Sequence, residues 1–352
     1  MGYILNFTEA DKLFCNIFDK YDVYAPKRFP KQGRYSDTDI VRYDKVEHIN
    51  EIEFKQKSDY AAKEILTPIN ETLFYFIENE YRESTTPQKP ILLFARPCDI
   101  NAFEIQSKIY EENGDFCDIY YARLKNNLKF VLMDCNGGED TCFCVSMNSN
   151  TTDNWAIAIK QLEDKYLLAI KDTEFIQDFQ NCEQADFTPE FVKSNELSAE
   201  VKDIPNKEVL NKLKEHPFWQ EYDKRCISCG SCTISCPTCT CFTTKDIIYS
   251  ENPKVGERKR VQASCQIEGF DKMAGQKEIR NKASERMRYK VLHKFHDYKE
   301  RFKLRHMCVG CGRCINRCPE SISIVTTLNK MNKAIDEIMN NESSGVNNDS
   351  TK

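Results

Sequence analysis

No stretch of this 352-residue chain approaches the roughly 20 consecutive apolar residues that a membrane span needs. The opening Met1-Gly2-Tyr3-Ile4-Leu5-Asn6 lacks the basic flank and long apolar stretch of a secretory leader. Asn6 also stands where a myristoylation signal wants Ser or Thr. These absences predict a cytoplasmic protein with no membrane partner. Nucleotide-binding signatures are missing too. No Gly-x-Gly-x-x-Gly follows an apolar run and no Walker-type loop occurs, so direct nucleotide binding has no support. Histidine is scarce, at five residues, and none lies near Cys98, Cys135 or Cys144 in sequence. A cysteine nucleophile therefore lacks a base, and no catalytic residue is expected.

What the chain has instead is cysteine, 18 of 352 residues. Without an export signal such thiols stay reduced unless a metal takes them. Two runs share one spacing: Cys226-Ile-Ser-Cys229-Gly-Ser-Cys232-Thr-Ile-Ser-Cys236-Pro237 and Cys308-Val-Gly-Cys311-Gly-Arg-Cys314-Ile-Asn-Arg-Cys318-Pro319. Each is the C-x2-C-x2-C-x3-C-P pattern of a bacterial-type [4Fe–4S] ferredoxin. Three thiolates two residues apart can wrap one cubane, and the glycine after the second lets the backbone come close. The fourth, fixed by its proline, serves the other cube. On that rule Cys226, Cys229, Cys232 and Cys318 hold one cluster, and Cys308, Cys311, Cys314 and Cys236 hold the other. Structural zinc would use two separated pairs, which this duplicated run does not.

Ten cysteines remain. Cys98 and Cys135 each follow an apolar run, where α/β sheets collect cofactors, and Cys142-Phe143-Cys144 comes soon after. These four could hold a third [4Fe–4S] cluster; the competing reading makes them small core residues. Cys239, Cys241 and Cys265 compete as alternative ligands, whereas Cys15, Cys117 and Cys182 read as packing.

The expected fold is α+β: a mixed α/β domain over 1–204, a largely helical two-cluster ferredoxin-type domain with a long basic insertion over 205–340, and a disordered tail over 341–352. Thr67-Pro68 predicts a helix carrying Ile69, Leu73, Phe74 and Ile77. Ile91–Ala95 and Phe130–Met133 read as buried strands, Asp99 as a helix cap, and 155–170 as a hairpin. From Lys245 to Arg305 there are 17 Lys/Arg against 9 Asp/Glu, a local +8 in a chain of net charge −5. This segment could compensate anionic clusters, face an acidic partner or bind nucleic acid, or simply be a solvated helix. His293 and His296, three apart, read as solvated helix residues, not a metal pair.

Several further runs resemble the iron–sulfur β subunits of cytoplasmic sulfhydrogenases: Arg96-Pro97-Cys98-Asp99, the Cys142–Cys144 hairpin, Cys236-Pro237-Thr238-Cys239-Thr240-Cys241-Phe242, Ser264-Cys265, Arg286-Met287-Arg288-Tyr289-Lys290 and His293-Lys294-Phe295. Tyr24-Ala25-Pro26-Lys27-Arg28-Phe29 and Gly33-Arg34-Tyr35-Ser36-Asp37-Thr38-Asp39 more particularly resemble the iron–sulfur electron-transfer subunits of anaerobic sulfite reductases. That resemblance implies a three-protein enzyme reducing sulfite to sulfide. A flavoprotein subunit would take electrons from NADH, a sirohaem subunit would reduce sulfite, and this chain would relay between them. A sulfhydrogenase-like complex is the alternative. A cluster-based nucleic-acid-binding sensor is the third reading; it lacks a helix-turn-helix, and nucleic acid is not expected as a partner.

Overall fold

A computed structural model describes residues 2–84, 89–135 and 137–346. It divides into two compact units that exchange segments along the chain. One contains 1–139, 149–194 and 236–263; the other contains 140–148, 195–235 and 264–352.

The first unit is built on an eight-stranded sheet. Its strands are β1 (Gly2–Asn6), β2 (Asp22–Phe29), β3 (Ile40–Lys45), β6 (Ile91–Ala95), β7 (Leu128–Met133), β8 (Ile157–Gln161), β9 (Lys165–Ile170) and β10 (Glu183–Gln184). They lie in the order β10-β1-β9-β8-β7-β6-β2-β3. The central β2, β6, β7 and β8 run parallel, and the flanking pairs are antiparallel. A strand buried on both faces reads as an unbroken apolar run. In β6, Leu92 and Phe94 join a core with Phe14, Ile17, Val131 and Phe179, while Ile91, Leu93 and Ala95 join one with Phe103, Tyr121 and Phe130. The helices are α1 (Phe7–Phe18), α2 (Pro97–Glu111), α3 (Ile119–Asn126) and the one-turn α4 (Ile176–Phe179). Helix α1 starts at a capping box between Asn6 and Glu9.

A second, four-stranded antiparallel sheet belongs to the same unit: β4 (Asn70–Ile77), β5 (Glu80–Glu83), β11 (Phe242–Ile248) and β12 (Val255–Gln262), in the order β11-β12-β4-β5. It corrects two expectations. The helix read from Thr67-Pro68 is strand β4, because Thr72 to Ile77 is β-branched and aromatic and side chains there pair across to β12. The stretch after Cys241 is not helical either but a hairpin. In β12 the charges Glu257, Arg258, Lys259 and Arg260 are consecutive, and Arg258 and Arg260 find acids on neighbouring elements: Asp246 at 2.7 Å for the first, Glu71 at 2.6 Å and Asp118 at 2.5 Å for the second. The hairpin shows that an overall description as mixed α/β suits the chain better than a sheet domain followed by a largely helical one. The hairpin at 155–170 is β8–β9, as expected.

The second unit contains α5 (Lys207–Glu215), α6 (Tyr222–Arg225), α7 (Ser231–Ile234), α8 (Ala283–Leu292), α9 (Tyr298–Phe302), α10 (Arg313–Asn316) and α11 (Ile324–Val346). The run from Pro205 to Lys224 is not one helix: α5 stops at His216, and Pro217–Glu221 forms a tighter 3-10 turn. Its core joins Val209, Leu213, Trp219, Tyr222, Met287, Val291, Phe295, Leu328 and Met331. Trp219 donates to the Leu213 carbonyl at 2.8 Å, and the Tyr222 hydroxyl lies 2.7 Å from Thr327 Oγ1. Burial pushes the Tyr222 phenol up to about 12. Helix α11 takes in 341–346 of the expected disordered tail; 347–352 lie outside the described residues.

Candidate iron–sulfur centres

Cys226 leaves α6 in an extended conformation, and Ser228 then turns the chain through a left-handed φ of 56°. Gly230 (φ 76°) caps the one-turn α7, and Gly312 (φ 73°) does the same for α10. The two short helices pack against each other. The duplicated sequence is thus a duplicated loop-and-turn structure. Gly312 illustrates why glycine stands after the second cysteine. A Cβ there would sit 2.4 Å from the Thr141 carbonyl oxygen, on a backbone conformation side chains rarely adopt.

A small cavity opens between these loops, lined by Cys226, Cys229, Cys232, Cys314 and Cys318, with Lys290, Gln266, Met287 and Ile322 around it. Its lining joins three thiols of the first run to two of the second, Cys314 and Cys318. Burial raises the Cys226 thiol above its ordinary value, while the backbone N–H of Ser228 and the Lys290 ammonium pull it down. Thiolates in an apolar wall need such compensation, and a cluster's own charge adds to the demand. Lys290 is 5% exposed and Arg286 5% exposed, with Arg286 donating to Ser228 Oγ at 2.8 Å beside the cavity. Arg286 Nε is buried without a partner. Soft thiol donors, buried cations and a cradle shaped by left-handed backbone fit a cubane.

Around the second run, Gly310 and Gly312 lie against the Cys142–Cys144 segment. Phe143 N donates to Gly310 O at 2.8 Å and Cys142 Sγ lies 3.7 Å from Cys311 O. Cys142 and Cys144 are buried, the latter 3.6 Å from Asn195 Oδ1. Of the other expected third-cluster residues, Cys98 sits in the first turn of α2, after β6, and Cys135 just after β7. Those two strands are parallel neighbours, so both cysteines lie at carboxyl ends in the sheet unit. A 740 Å³ pocket there is lined by Arg96, Asp134, Cys135, Gly137, Gly138 and the 161–164 turn. Cys142 and Cys144 are counted in the other unit. Cys236, expected to serve the second run, is buried in the sheet unit, 3.4 Å from Thr238 Oγ1.

The basic segment is not one solvated face. Arg260, Arg286, Lys290 and Lys294 are all buried. His293 stacks on Tyr289 within a π-turn, and burial holds it below the ordinary histidine value. Sequence reasoning passed over Lys290 and Arg313 as individual site residues. Arg313, 1% exposed between Cys311 and Cys314, could have been suspected as a charge inside a ligand loop.

A family model described as a 4Fe–4S dicluster domain matches residues 225–322. The β subunit of sulfhydrogenase 2 from Pyrococcus furiosus is 29% identical over 328 residues, covering 89% of this chain and 93% of the relative. This chain is its homologue. No solved structure matches. The match spans both units, so the sulfhydrogenase-type resemblance extends well beyond the cysteine runs. The protein is therefore an iron–sulfur electron-transfer subunit carrying [4Fe–4S] clusters. Among the described residues no helix is long and apolar enough to cross a membrane.

Proposed function

We propose that Cys226, Cys229, Cys232 and Cys318 hold one cubane and that Cys308, Cys311 and Cys314, with Cys236 by the spacing rule, hold the second. The observation that carries this reading is the shared cavity, in which Cys318, with Cys314 beside it, lies with the first three cysteines of the other run; the spacing rule then gives Cys318 to this cubane and Cys314 to the second. A [4Fe–4S] cluster supplies one-electron redox chemistry. The chain's part is to hold the thiolates, keep water from them and place Lys290 and Arg286 where they favour the reduced state. The reading extends to a third cubane on Cys98, Cys135, Cys142 and Cys144, the ligand set the sequence suggests. Iron and acid-labile sulfide should then come to about twelve per chain, against about eight for two cubes.

The complex served is, in this reading, a cytoplasmic anaerobic sulfite reductase, whose other members are a NADH-oxidising flavoprotein and a sirohaem protein. The support is the run from Tyr24 to Asp39, which forms the β2–β3 edge, with Arg28 bound to both Asp39 and Glu53. The second reading, a sulfhydrogenase-like complex, is favoured by the relative that matches 89% of the chain. Anaerobic purification from the native host with partners attached separates the two. NADH-dependent sulfide formation that stops without this chain supports the first, whereas hydrogen-dependent dye reduction without sirohaem supports the second. Undiminished turnover in both assays after removal of the chain would overturn the relay role.

A further inference from the structure

Helix α1 presents Asp11 and Cys15, four residues apart, on one face, away from the core side formed by Ala10, Phe14 and Ile17. The 3-10 turn Ile49–Glu51 packs against this helix, and His48 is the residue that enters it. Cys15 Sγ lies 3.6 Å from His48 Nδ1, and Asp11 Oδ1 lies 3.5 Å from the same nitrogen. All three atoms fall within 4.8 Å of one another. Asp11 Oδ1 is shielded from solvent yet has no hydrogen-bond partner.

Three features bear on what this cluster does. Both close approaches use Nδ1, whereas a thiol–imidazole–carboxylate proton relay would use the two ring nitrogens separately. The 3.5 Å between Asp11 Oδ1 and His48 Nδ1 is long for a hydrogen bond, whereas 3.6 Å suits a sulfur–nitrogen one. Both spacings match a shared ion: Zn–S near 2.3 Å and Zn–N near 2.05 Å at the tetrahedral angle put S and N about 3.6 Å apart, and N and O about 3.4 Å apart. Thiolate, imidazole and carboxylate together are a donor set suited to zinc. The cysteine, expected to be packing, is only partly buried and faces a histidine that is half exposed.

We propose that Asp11, Cys15 and His48 form a zinc site, separate from the iron–sulfur cysteines, with water in the fourth position. Binding would release the Cys15 thiol proton to solvent and clip α1 to the 48–51 turn.

The test uses the full chain, purified anaerobically with its clusters, then treated with a chelator under conditions that leave its iron count unchanged. Zinc chloride alone is titrated in against a chromophoric chelator. The wild type and a Cys182→Ser control should bind one zinc per chain at the same affinity. Cys15→Ser and His48→Ala should each weaken it by more than about tenfold, since even outer-sphere changes cost that much. Zinc should also slow alkylation of Cys15, located by mass spectrometry, in the wild type but not in His48→Ala. The half-exposed His48 makes its variant decisive should Cys15→Ser fail to fold, with iron content as the check. No zinc bound by wild type, equal binding by His48→Ala, or unchanged Cys15 alkylation would overturn the site.

Discussion

The two units differ in what their folding depends on. The sheet unit closes over aliphatic and aromatic side chains buried on both faces of β6 and β7. The other unit has an apolar core beneath α11, but its cysteine loops are short turns joined by left-handed residues and lined by buried cations. Loops of that kind gather thiolates that a cluster would hold together, so binding free energy and folding free energy are there linked. A packed core tolerates the loss of a cofactor; a cradle does not.

That contrast is most severely tested by removing the iron. Chelation under reducing conditions should abolish amide protection across 226–235 and 308–322 while the β6 and β7 amides stay protected in hydrogen exchange. Equal loss in both units would remove the distinction. Next in size is Gly312→Ala. A left-handed alanine costs roughly 1–2 kcal/mol, and the contact with the Thr141 carbonyl adds to it, so this variant should lose iron from the second cubane. Gly230→Ala, where a Cβ would meet the movable end of Ile267 at 3.0 Å, should lose less. Similar iron retention by both would show that the turns can give way at either position.

Smaller effects concern the buried charges. Lys290→Met should lower the potential of the cubane in the first cavity by roughly 60 mV, the one-electron equivalent of about 1.4 kcal/mol. Redox titration followed by EPR measures it, and an unchanged or raised potential would remove Lys290 from the compensation. The smallest expected effect is that of His293. Its folded value lies below the unfolded one because burial disfavours the imidazolium. The unfolded chain then binds more protons as pH falls through about 6.5, so stability declines toward acid there. His293→Gln should flatten that slope in denaturant melts between pH 5 and 7, roughly the range set by the unfolded histidine value. An unaltered slope would mean another group carries it.

Legibility in the sequence follows the same division. Motif spacing is local, so the duplicated cysteine runs and their glycines, which form a duplicated loop and turn, could be read from the sequence alone. The doubly buried strands β6 and β7 were equally plain, being uninterrupted apolar runs. The second sheet was not. Strand β12 carries a run of charges, and the partners of its Arg260, Glu71 and Asp118, lie far away in sequence, so it looked like a solvated helix. Thr67-Pro68 resembled a helix start, but the aromatic run after it finds its partners only across the β4–β12 ladder. Cys142 and Cys144 follow Cys135 closely in the chain, yet the segment packs on Gly310–Gly312, a contact no local pattern announces. The convergence of Asp11, Cys15 and His48 was likewise invisible, since it joins a helix face to a turn 33 residues further on.

The central claim is that Cys318 closes the cubane wrapped by the first run. It is tested most directly by Cys318→Ser in the anaerobically purified chain, with iron counting and EPR of the dithionite-reduced protein. The account predicts a loss of up to about four irons, persistence of the Cys308–Cys314 signal and disappearance of its spin coupling to a neighbouring cube. Loss of the Cys308–Cys314 signal, with the Cys226–Cys232 cubane intact, would contradict it.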